Sequence, residues 1–345
     1  MIRTVTVSGR RLTQQDIARM AGVSQTTVSL VLNGRAEGEV RISPETRDRV
    51  LQVIRETGYV ADPAARRLVE RRNRIYGVFT YEPVFPAESA DFYHPFLVGI
   101  EECVEEAGCD LLLFTSAKVQ GERRRIFSAE SRIRLADGCV LLGRTIDRED
   151  LSRLLSEGIP FVSVGRRDDA GGPVPYVGAD YPPAVRALVE RAAALGHRRM
   201  AYVGAGEGAE SYADRLRGFT EGVAVTGVEG LHLTTADGLF DCGATVVFTE
   251  KLADGVAIAG AARARGLDVP RELSIVELGA PTGPVSTDID FAGFRIPRRE
   301  MGRRAVELLT QVLERGGVPQ ELLVCELVEG STLAPVHEER YPLRG

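Results

Sequence analysis

An alternation of short apolar runs with helical stretches is the feature of this 345-residue chain that most restricts its fold. The runs have the length and aliphatic content of buried parallel strands. They are Ile75–Phe79, Asp110–Phe114, Gly138–Leu142, Pro160–Val164, Met200–Val203, Ala244–Phe248 and Leu273–Val276. This alternation predicts an α/β fold of doubly wound parallel sheets. Because some 270 residues exceed a comfortable single core, we expect two lobes with a cleft between them.

The residues before the alternation predict three short helices. Thr13, Ser24 and Ser43 each stand where a hydroxyl can cap the first turn of a helix. Pro44 follows as the first residue of the third helix, which ends at Gly58. These signals predict a compact, all-α head that precedes the α/β region.

Residues 62–72 connect the two regions and carry a weaker helix signal. A helix of this length is too short to be stable alone in water. The segment is therefore either a linker or a helix that forms only when something packs against it.

Charge is distributed unevenly along the chain. Residues 1–72 contain 13 arginines and 8 acidic residues, whereas the rest of the chain is acidic and brings the net charge to -6. A basic head on an acidic body indicates that the head is the part that meets a polyanion such as nucleic acid.

The five scattered cysteines and four isolated histidines show no spacing typical of disulfide frameworks or metal sites. No apolar run is long enough to span a bilayer, and the N-terminal residues show no signal-peptide pattern. We therefore expect a soluble cytoplasmic protein that contacts no membrane and uses no metal or cofactor.

The segment 21–34, AGVSQTTVSLVLNG, resembles the helix-turn-helix of the lactose-repressor (LacI) family of bacterial transcriptional regulators. The resemblance continues through residues 42–47, 54–59 and 65–68, and weaker matches reach residues 300–305. It implies a type I periplasmic-binding-protein-like body with chain crossings between two lobes. It also implies an effector-responsive repressor that binds a double-stranded DNA operator as a homodimer, with a tetramer also open.

The expected domains are a helix-turn-helix head of residues 1–61, a hinge of residues 62–72 and an effector-sensing and dimerisation domain of residues 73–345. Within the last, we expect residues 73–173 and 292–318 to form the first lobe. Residues 174–291 and 319–345 then form the second lobe.

The second helix of a helix-turn-helix lies in the major groove and presents its N-terminal residues to base edges. Gln25 is suited to adenine, and Thr26 to a thymine methyl group. Shorter polar residues, namely Thr27, Ser29 and Asn33, suit phosphates.

Leu30 departs from the family, which usually has a polar or basic residue that reads bases there, and Leu30 can make only apolar contacts. The resemblance also implies that Leu68 is a wedge pushed between base pairs from the minor groove. Thr13 and Arg66 complete the predicted DNA contacts.

For the cleft, the resemblance implies that Arg215 holds an effector, and Asp180 matches the family's usual strand-end aspartate. Ser211, Lys251 and Arg166 complete the predicted effector site. Where sugar-binding members usually have carboxylates and amides, this chain has Lys251-Leu252 and Gly279-Ala280. We therefore expect a ligand that is not held as a typical sugar is, such as an anion, or a vestigial cleft.

Two other functions are open at this stage. Residues 204–209, GAGEGA, follow a strand and fit the glycine pattern of dinucleotide-binding enzymes loosely. A secreted solute-binding protein would share the body fold, but it would need a signal peptide and would lack residues 13–33.

Overall fold

The computed structural model describes residues 12–32, 42–59, 73–82, 87–115, 119–120, 123–127, 132–280 and 288–336. The chain divides into two compact units between Asn73 and Arg74. Hinge residues 62–72 lie outside the described residues, so their predicted helix stays a prediction. No helix in the described ranges is long and apolar enough to cross a membrane.

The head unit contains three helices: α1 (Gln14–Ala21), α2 (Gln25–Leu32) and α3 (Pro44–Thr57). All three predicted caps are hydrogen-bonded: Thr13 and Asp16 form a reciprocal capping box, Ser24 accepts the backbone N–H of Thr27, and Ser43 accepts that of Thr46. The sequence prediction of all three helix starts is confirmed.

A small core joins these helices, with Ile17, Val28 and Val50 fully buried. Met20 on α1 does not join this core. Its side chain is 56% exposed in the described unit, whereas the next residue, Ala21, faces the core.

The second unit alternates strands and helices over its whole length. In chain order it contains β1 (Ile75–Thr80), α4 (Ala87–Glu106), β2 (Asp110–Phe114), β3 (Val119–Gln120), β4 (Arg123–Arg124), β5 (Gly138–Leu142), α5 (Arg148–Ser156), β6 (Phe161–Val164), β7 (Tyr176–Asp180), α6 (Tyr181–Ala194), β8 (Arg199–Val203), α7 (Glu210–Thr226), β9 (Glu229–Leu233), β10 (Val246–Thr249), α8 (Leu252–Ala264), β11 (Ser274–Ala280), β12 (Ala292–Arg295), α9 (Arg298–Arg315), β13 (Gln320–Val324) and β14 (Glu326–Val328).

Two six-stranded sheets form the centres of two lobes. The first has the order β13-β7-β6-β5-β1-β2 and is parallel throughout. The second has the order β14-β12-β11-β10-β8-β9, in which β14 alone runs antiparallel to its neighbour. Helices α4 and α9 pack on the first lobe, and α6, α7 and α8 on the second.

The chain crosses between the lobes three times: after β7, between β12 and α9, and between β13 and β14. The lobe boundaries expected from the sequence differ from this sheet pairing. Strands β7 and β13 pair with the first sheet, and β12 pairs with the second. Apolar periodicity identifies a strand but not the sheet that it joins, because pairing depends on residues far away in the chain.

Helices α4 and α9 touch backbone to backbone through Gly99 and Gly302. A methyl group at Gly99 would overlap the carbonyl oxygen of Arg299, and one at Gly302 would overlap that of Phe96. This close approach matters for the rest of the molecule, because both helices carry side chains that line the cleft.

Gly99→Ala should therefore lower the free energy of unfolding by about 1–3 kcal/mol, because the helices must separate to admit the methyl group. Gly260 is a matched control on α8, where a Cβ would meet open space. Gly260→Ala should raise the free energy of unfolding by about 0.5–1 kcal/mol through helix propensity. Urea denaturation of the full chain measures both changes, and equal effects would contradict the packing argument.

Candidate functional site

The head presents the N-terminal turn of α2. The Ser24 hydroxyl caps this turn by accepting the backbone N–H of Thr27 at 3.1 Å. Gln25 and Thr26 follow directly and are exposed, whereas Ser29 and Leu30 are half-buried on the same helix. The first turn of α2 is therefore exposed at the surface of the described head.

Two other predicted DNA contacts have structural hydrogen bonds of their own. The Thr13 hydroxyl lies 2.7 Å from the Asp16 carboxylate, and the Thr27 hydroxyl lies 2.9 Å from that of Ser24. The predictions for Asn33, Arg66 and Leu68 lie outside the described residues.

In the second unit, a cavity of about 810 Å³ separates the two lobes. The carboxyl ends of β5, β6, β10 and β11 border it, together with α4, α7 and the first turns of α8 and α9. Ligands of open α/β sheets bind at the carboxyl ends of the strands. Its volume lies in the range of about 300–1,000 Å³ typical of small-molecule sites.

Four of the five predicted effector residues line this cavity: Arg166, Ser211, Arg215 and Lys251. Asp180 is not among the described lining residues. It is the last residue of β7, where the chain first leaves the first sheet. Partial burial raises the pKa of Asp180, although the charge of Arg217 opposes this shift. Its position at the end of β7 thus places Asp180 at a crossing between the lobes.

Arg215 is buried at 6% exposure and held from two sides. Its Nε donates to the carbonyl oxygen of Leu278 at 2.7 Å, and its Nη1 donates to that of Ser211 at 2.9 Å. The guanidinium carbon lies 4.0 Å from the centre of the Tyr181 ring. These contacts fix the guanidinium plane, which is the group that binds carboxylates and hydroxyls in a fixed geometry.

Two ion pairs connect the lobes beside the cavity. Arg166, after β6, donates from Nε to Asp214 on α7 at 2.7 Å, and Asp214 is almost fully buried. Arg167 donates from Nη1 to Glu210 at 2.9 Å. The Arg166 side chain therefore takes part in a contact between the lobes.

Buried carboxylates lie next to both places where sugar-binding members usually have carboxylates and amides, although the places themselves hold Lys251-Leu252 and Gly279-Ala280. Glu250 directly precedes Lys251, and Glu277 precedes Gly279 by two residues. Both are buried and line the cavity. The sequence analysis named neither glutamate, because each lies one or two residues before the positions that it compared with the family.

The two carboxylates have different surroundings. Oε2 of Glu250 accepts the Tyr202 hydroxyl at 2.9 Å and the backbone N–H of Gly206 at 2.8 Å. Burial raises the pKa of Glu277 to about 7, although Arg215 and Arg298 oppose this shift. The protonated and ionised forms of Glu277 are therefore both populated near neutral pH.

Sequence reasoning also missed Phe92, Arg144 and Arg298, which line the cavity. Arg144 stands two residues after the end of β5, so the strand-end rule could have found it. Arg298 begins α9 and reaches the cavity only because α9 packs on α4, for which the sequence carries no local signal.

The glycine-rich loop after β8 is not arranged as a phosphate cradle. Its Gly206 N–H, a donor that a phosphate would need, is bonded to the Glu250 carboxylate. Within the described ranges, no group of three or more histidine, cysteine or acidic side chains could hold a metal ion.

Comparison with known proteins matches three family models to this chain. The model described as bacterial regulatory proteins, lacI family, covers residues 13–62. The periplasmic binding proteins and sugar binding domain of LacI family covers residues 83–247, and the periplasmic binding protein-like domain covers residues 189–333.

An uncharacterized HTH-type transcriptional regulator in the aml 5' region of Streptomyces limosus is 30% identical over 345 residues, which is 92% of this chain and 93% of that protein. The chain belongs to the LacI family. It is accordingly a DNA-binding transcriptional regulator. Another relative is the HTH-type transcriptional regulator CelR of Thermobifida fusca, 29% identical over 87% of this chain and 91% of its own length.

Solved structures share the fold of this LacI-family chain. The lac repressor dimer bound to operator and the anti-inducer ONPF matches with a TM-score of 0.73 at 19% identity, covering 94% of this chain and 100% of that one. The CelR–cellobiose complex matches with a TM-score of 0.62 at 25% identity, covering 93% and 100%. The predicted fold class, a helix-turn-helix head with a two-lobed α/β body, is confirmed.

Proposed function

We propose that this regulator is an effector-responsive repressor that binds a palindromic operator as a homodimer. The observation that carries the proposal is the capped N-terminal turn of α2, which exposes Gln25 and Thr26. One head offers too few base contacts for useful specificity, and a two-fold axis supplies a second half-site. The lac repressor, which shares the fold, is described as a dimer bound to its operator.

Individual roles in this proposal follow from side-chain chemistry. Gln25 binds adenine and Thr26 contacts a thymine methyl group, whereas Thr27 and Ser29 bind phosphates. Leu30 can make only apolar contacts. At the position that it faces, the protein therefore either tolerates several bases or selects thymine for its methyl group. Thr13, Asn33 and Arg66 add DNA contacts, and Leu68 inserts between base pairs from the minor groove.

The cleft supplies the response to an effector, and residues 62–72 transmit it. A ligand between the lobes changes their relative positions, and with them the separation of the two hinges in a dimer. The hinge segment becomes helical on the operator, where DNA and the partner chain order it. The coupling free energy between effector and operator is then about 1–3 kcal/mol. The protein acts in the cytoplasm, where the bacterial chromosome lies.

Selection of binding sites from random DNA tests the proposal. We expect an inverted repeat, bound by a dimer, with an affinity that falls steeply as salt concentration rises because arginine–phosphate contacts release counterions. A selected site without two-fold symmetry, or a protein that stays monomeric at micromolar concentration, would contradict it.

Gln25→Ala should weaken binding to the selected operator by about 5- to 150-fold, the effect of losing one bidentate base contact. Specificity should relax at a single position of each half-site, and weak non-specific binding should persist. Gln52→Ala is the matched control, because Gln52 lies on α3 and donates to Glu56 at 2.8 Å. Fluorescence anisotropy on the operator and its single-base variants measures both, and equal losses for the two variants would remove Gln25 from the base contacts.

A further inference from the structure

The described walls of the cavity between the lobes are largely apolar and aromatic. Aromatic rings come from three helices: Phe92 from α4, Tyr181 from α6 and Tyr212 from α7. The first turns of α8 add Leu252 and Val256. All five side chains are half-buried, so they keep surface that a ligand can cover. A compound with a flat apolar ring matches such walls, because aromatic rings stack on one another or meet edge to face.

The carboxylates of the described lining are closed to a ligand. Asp214, Glu250 and Glu277 are each at most 4% exposed. Asp214 accepts a hydrogen bond from Nε of Arg166 at 2.7 Å, and Glu250 accepts one from the Tyr202 hydroxyl at 2.9 Å. The hydroxyl groups of a sugar are donors that need accessible acceptors at the walls. The described walls therefore suit a ligand with few hydroxyl groups.

The two exposed cations of the described lining come from different lobes. Arg144 follows β5 in the first lobe, and Lys251 precedes α8 in the second. Within the part of the chain that the structure describes, neither forms an ion pair. The guanidinium carbon of Arg144 lies 4.8 Å from the centre of the Phe92 ring, and Nζ of Lys251 lies 5.9 Å from that of Tyr212. Because the lining carboxylates are buried, the accessible charge of the described walls is positive and attracts an anion.

We propose that the effector is an aromatic carboxylic acid. Its ring lies between the lobes against Phe92 and Tyr212. Its carboxylate pairs with Arg144, because a planar guanidinium binds a carboxylate through two parallel hydrogen bonds. Lys251 adds positive potential from the second lobe, so one ligand is held by both lobes. This inference rests on the proposed function, because it assigns the effector that the proposed repressor senses.

Isothermal titration of the full-length protein at constant salt tests the ligand class with matched probes. Benzoate, phenylacetate and cinnamate are each compared with their own primary amide, and glucose and glucuronate supply a neutral and an acidic polyol. At least one aromatic acid should bind about 10-fold or more tightly than its amide, the size of a charge-assisted hydrogen bond. The same acid should also bind more tightly than glucuronate, which carries the charge without the ring. Amides that bind as tightly as their acids, a polyol that binds best, or no binding by any aromatic acid would overturn the proposal.

Arg144→Gln tests the position of the carboxylate. The variant should bind the tightest acid about 10-fold more weakly and should bind the matching amide with unchanged affinity. A purely structural role of Arg144 would weaken both probes equally. Arg148→Gln is the control and should change neither affinity, because Arg148 is exposed on α5 and does not line the described cavity. An unchanged acid affinity in Arg144→Gln would overturn the assignment.

Tyr212→Ala tests the position of the ring. Loss of one aromatic contact should weaken the acid and its amide alike, by about 3- to 10-fold. This pattern differs from that of Arg144→Gln, which affects the acid alone. Val225→Ala on the same helix is the control, because Val225 is 68% exposed and does not line the described cavity. Affinities that stay the same for both probes in Tyr212→Ala would contradict the stacking of the ring on Tyr212.

Operator binding is measured separately, so the two proposals fail in different ways. If an aromatic acid binds and the protein has no operator, the ligand class stands and the repressor proposal fails. If the protein binds an inverted repeat but a polyol binds best, the repressor proposal stands and the ligand class fails.

Discussion

Arg167→Ala should lower the free energy of unfolding of the two-lobed unit by about 3–5 kcal/mol, the range for breaking a buried ion pair. The guanidinium of Arg167 is buried, and all three of its nitrogens donate hydrogen bonds. It donates to the carbonyl oxygens of Gly143 at 2.7 Å, Val164 at 3.3 Å and Arg166 at 3.2 Å, and to the Ser163 hydroxyl at 3.1 Å. It also pairs with Glu210 in the other lobe. Removing it leaves several buried acceptors without donors.

Urea denaturation of the full chain, followed by circular dichroism, measures this loss. Arg186→Ala is the matched control: Arg186 pairs with Glu190 on the surface of α6, both about half exposed, and such a pair contributes about 0–1 kcal/mol. If Arg167→Ala cost no more than Arg186→Ala, Arg167 would not be a structural link between the lobes.

Glu277→Gln should stabilise the protein at pH 8 and leave its stability unchanged at pH 4. Burial raises the pKa of Glu277 from 4.5 to about 7, against the opposing charges of Arg215 and Arg298 and a hydrogen bond from Gly279. The folded chain therefore binds more protons than the unfolded chain between these two values, so stability falls as pH rises through that window. At pH 8 the ionised carboxylate costs about 2–3 kcal/mol relative to a neutral side chain.

Denaturation midpoints of both proteins at pH 4, 5, 6, 7 and 8 give the comparison. The difference should be near zero at pH 4 and should grow in favour of glutamine up to pH 8. Glu105→Gln on the exposed face of α4 is the control and should show no such trend. A difference that does not change with pH would mean that Glu277 does not titrate in this range.

The parts of the molecule that local chemistry determines could be predicted from the sequence. Each helix of the head begins at the hydroxyl residue expected, because a cap depends on residues within one turn. Arg215 could be found through a resemblance that covers its neighbours. The exposure of Met20 could not be predicted, because the direction in which α1 faces the core decides whether Met20 or Ala21 is buried. Composition does not reveal that direction.

Features that depend on distant pairing could not be predicted in the same way. The sheet to which β7, β12 and β13 belong is decided by strands more than a hundred residues away in some cases. Glu250 and Glu277 lie at or inside apolar strands, and their orientation toward the cleft follows from sheet order. A tertiary contact of this kind leaves no local pattern.

The three crossings between the lobes determine the order in which the two lobes obtain their strands and helices during synthesis. The first lobe needs α9 and β13, which leave the ribosome after the whole of β8 to β12 has been synthesised. Until then the nascent first sheet has β7 as an open edge, and α4 has no partner for Gly99. The second lobe can assemble its β9-β8-β10-β11-β12 segment from contiguous residues during that time. Domains usually fold in their order of synthesis. In this chain the lobe that is started first waits for α9 and β13 while β8 to β12 of the second lobe are already made, so a ribosome paused near residue 296 should expose the first lobe to proteases and chaperones.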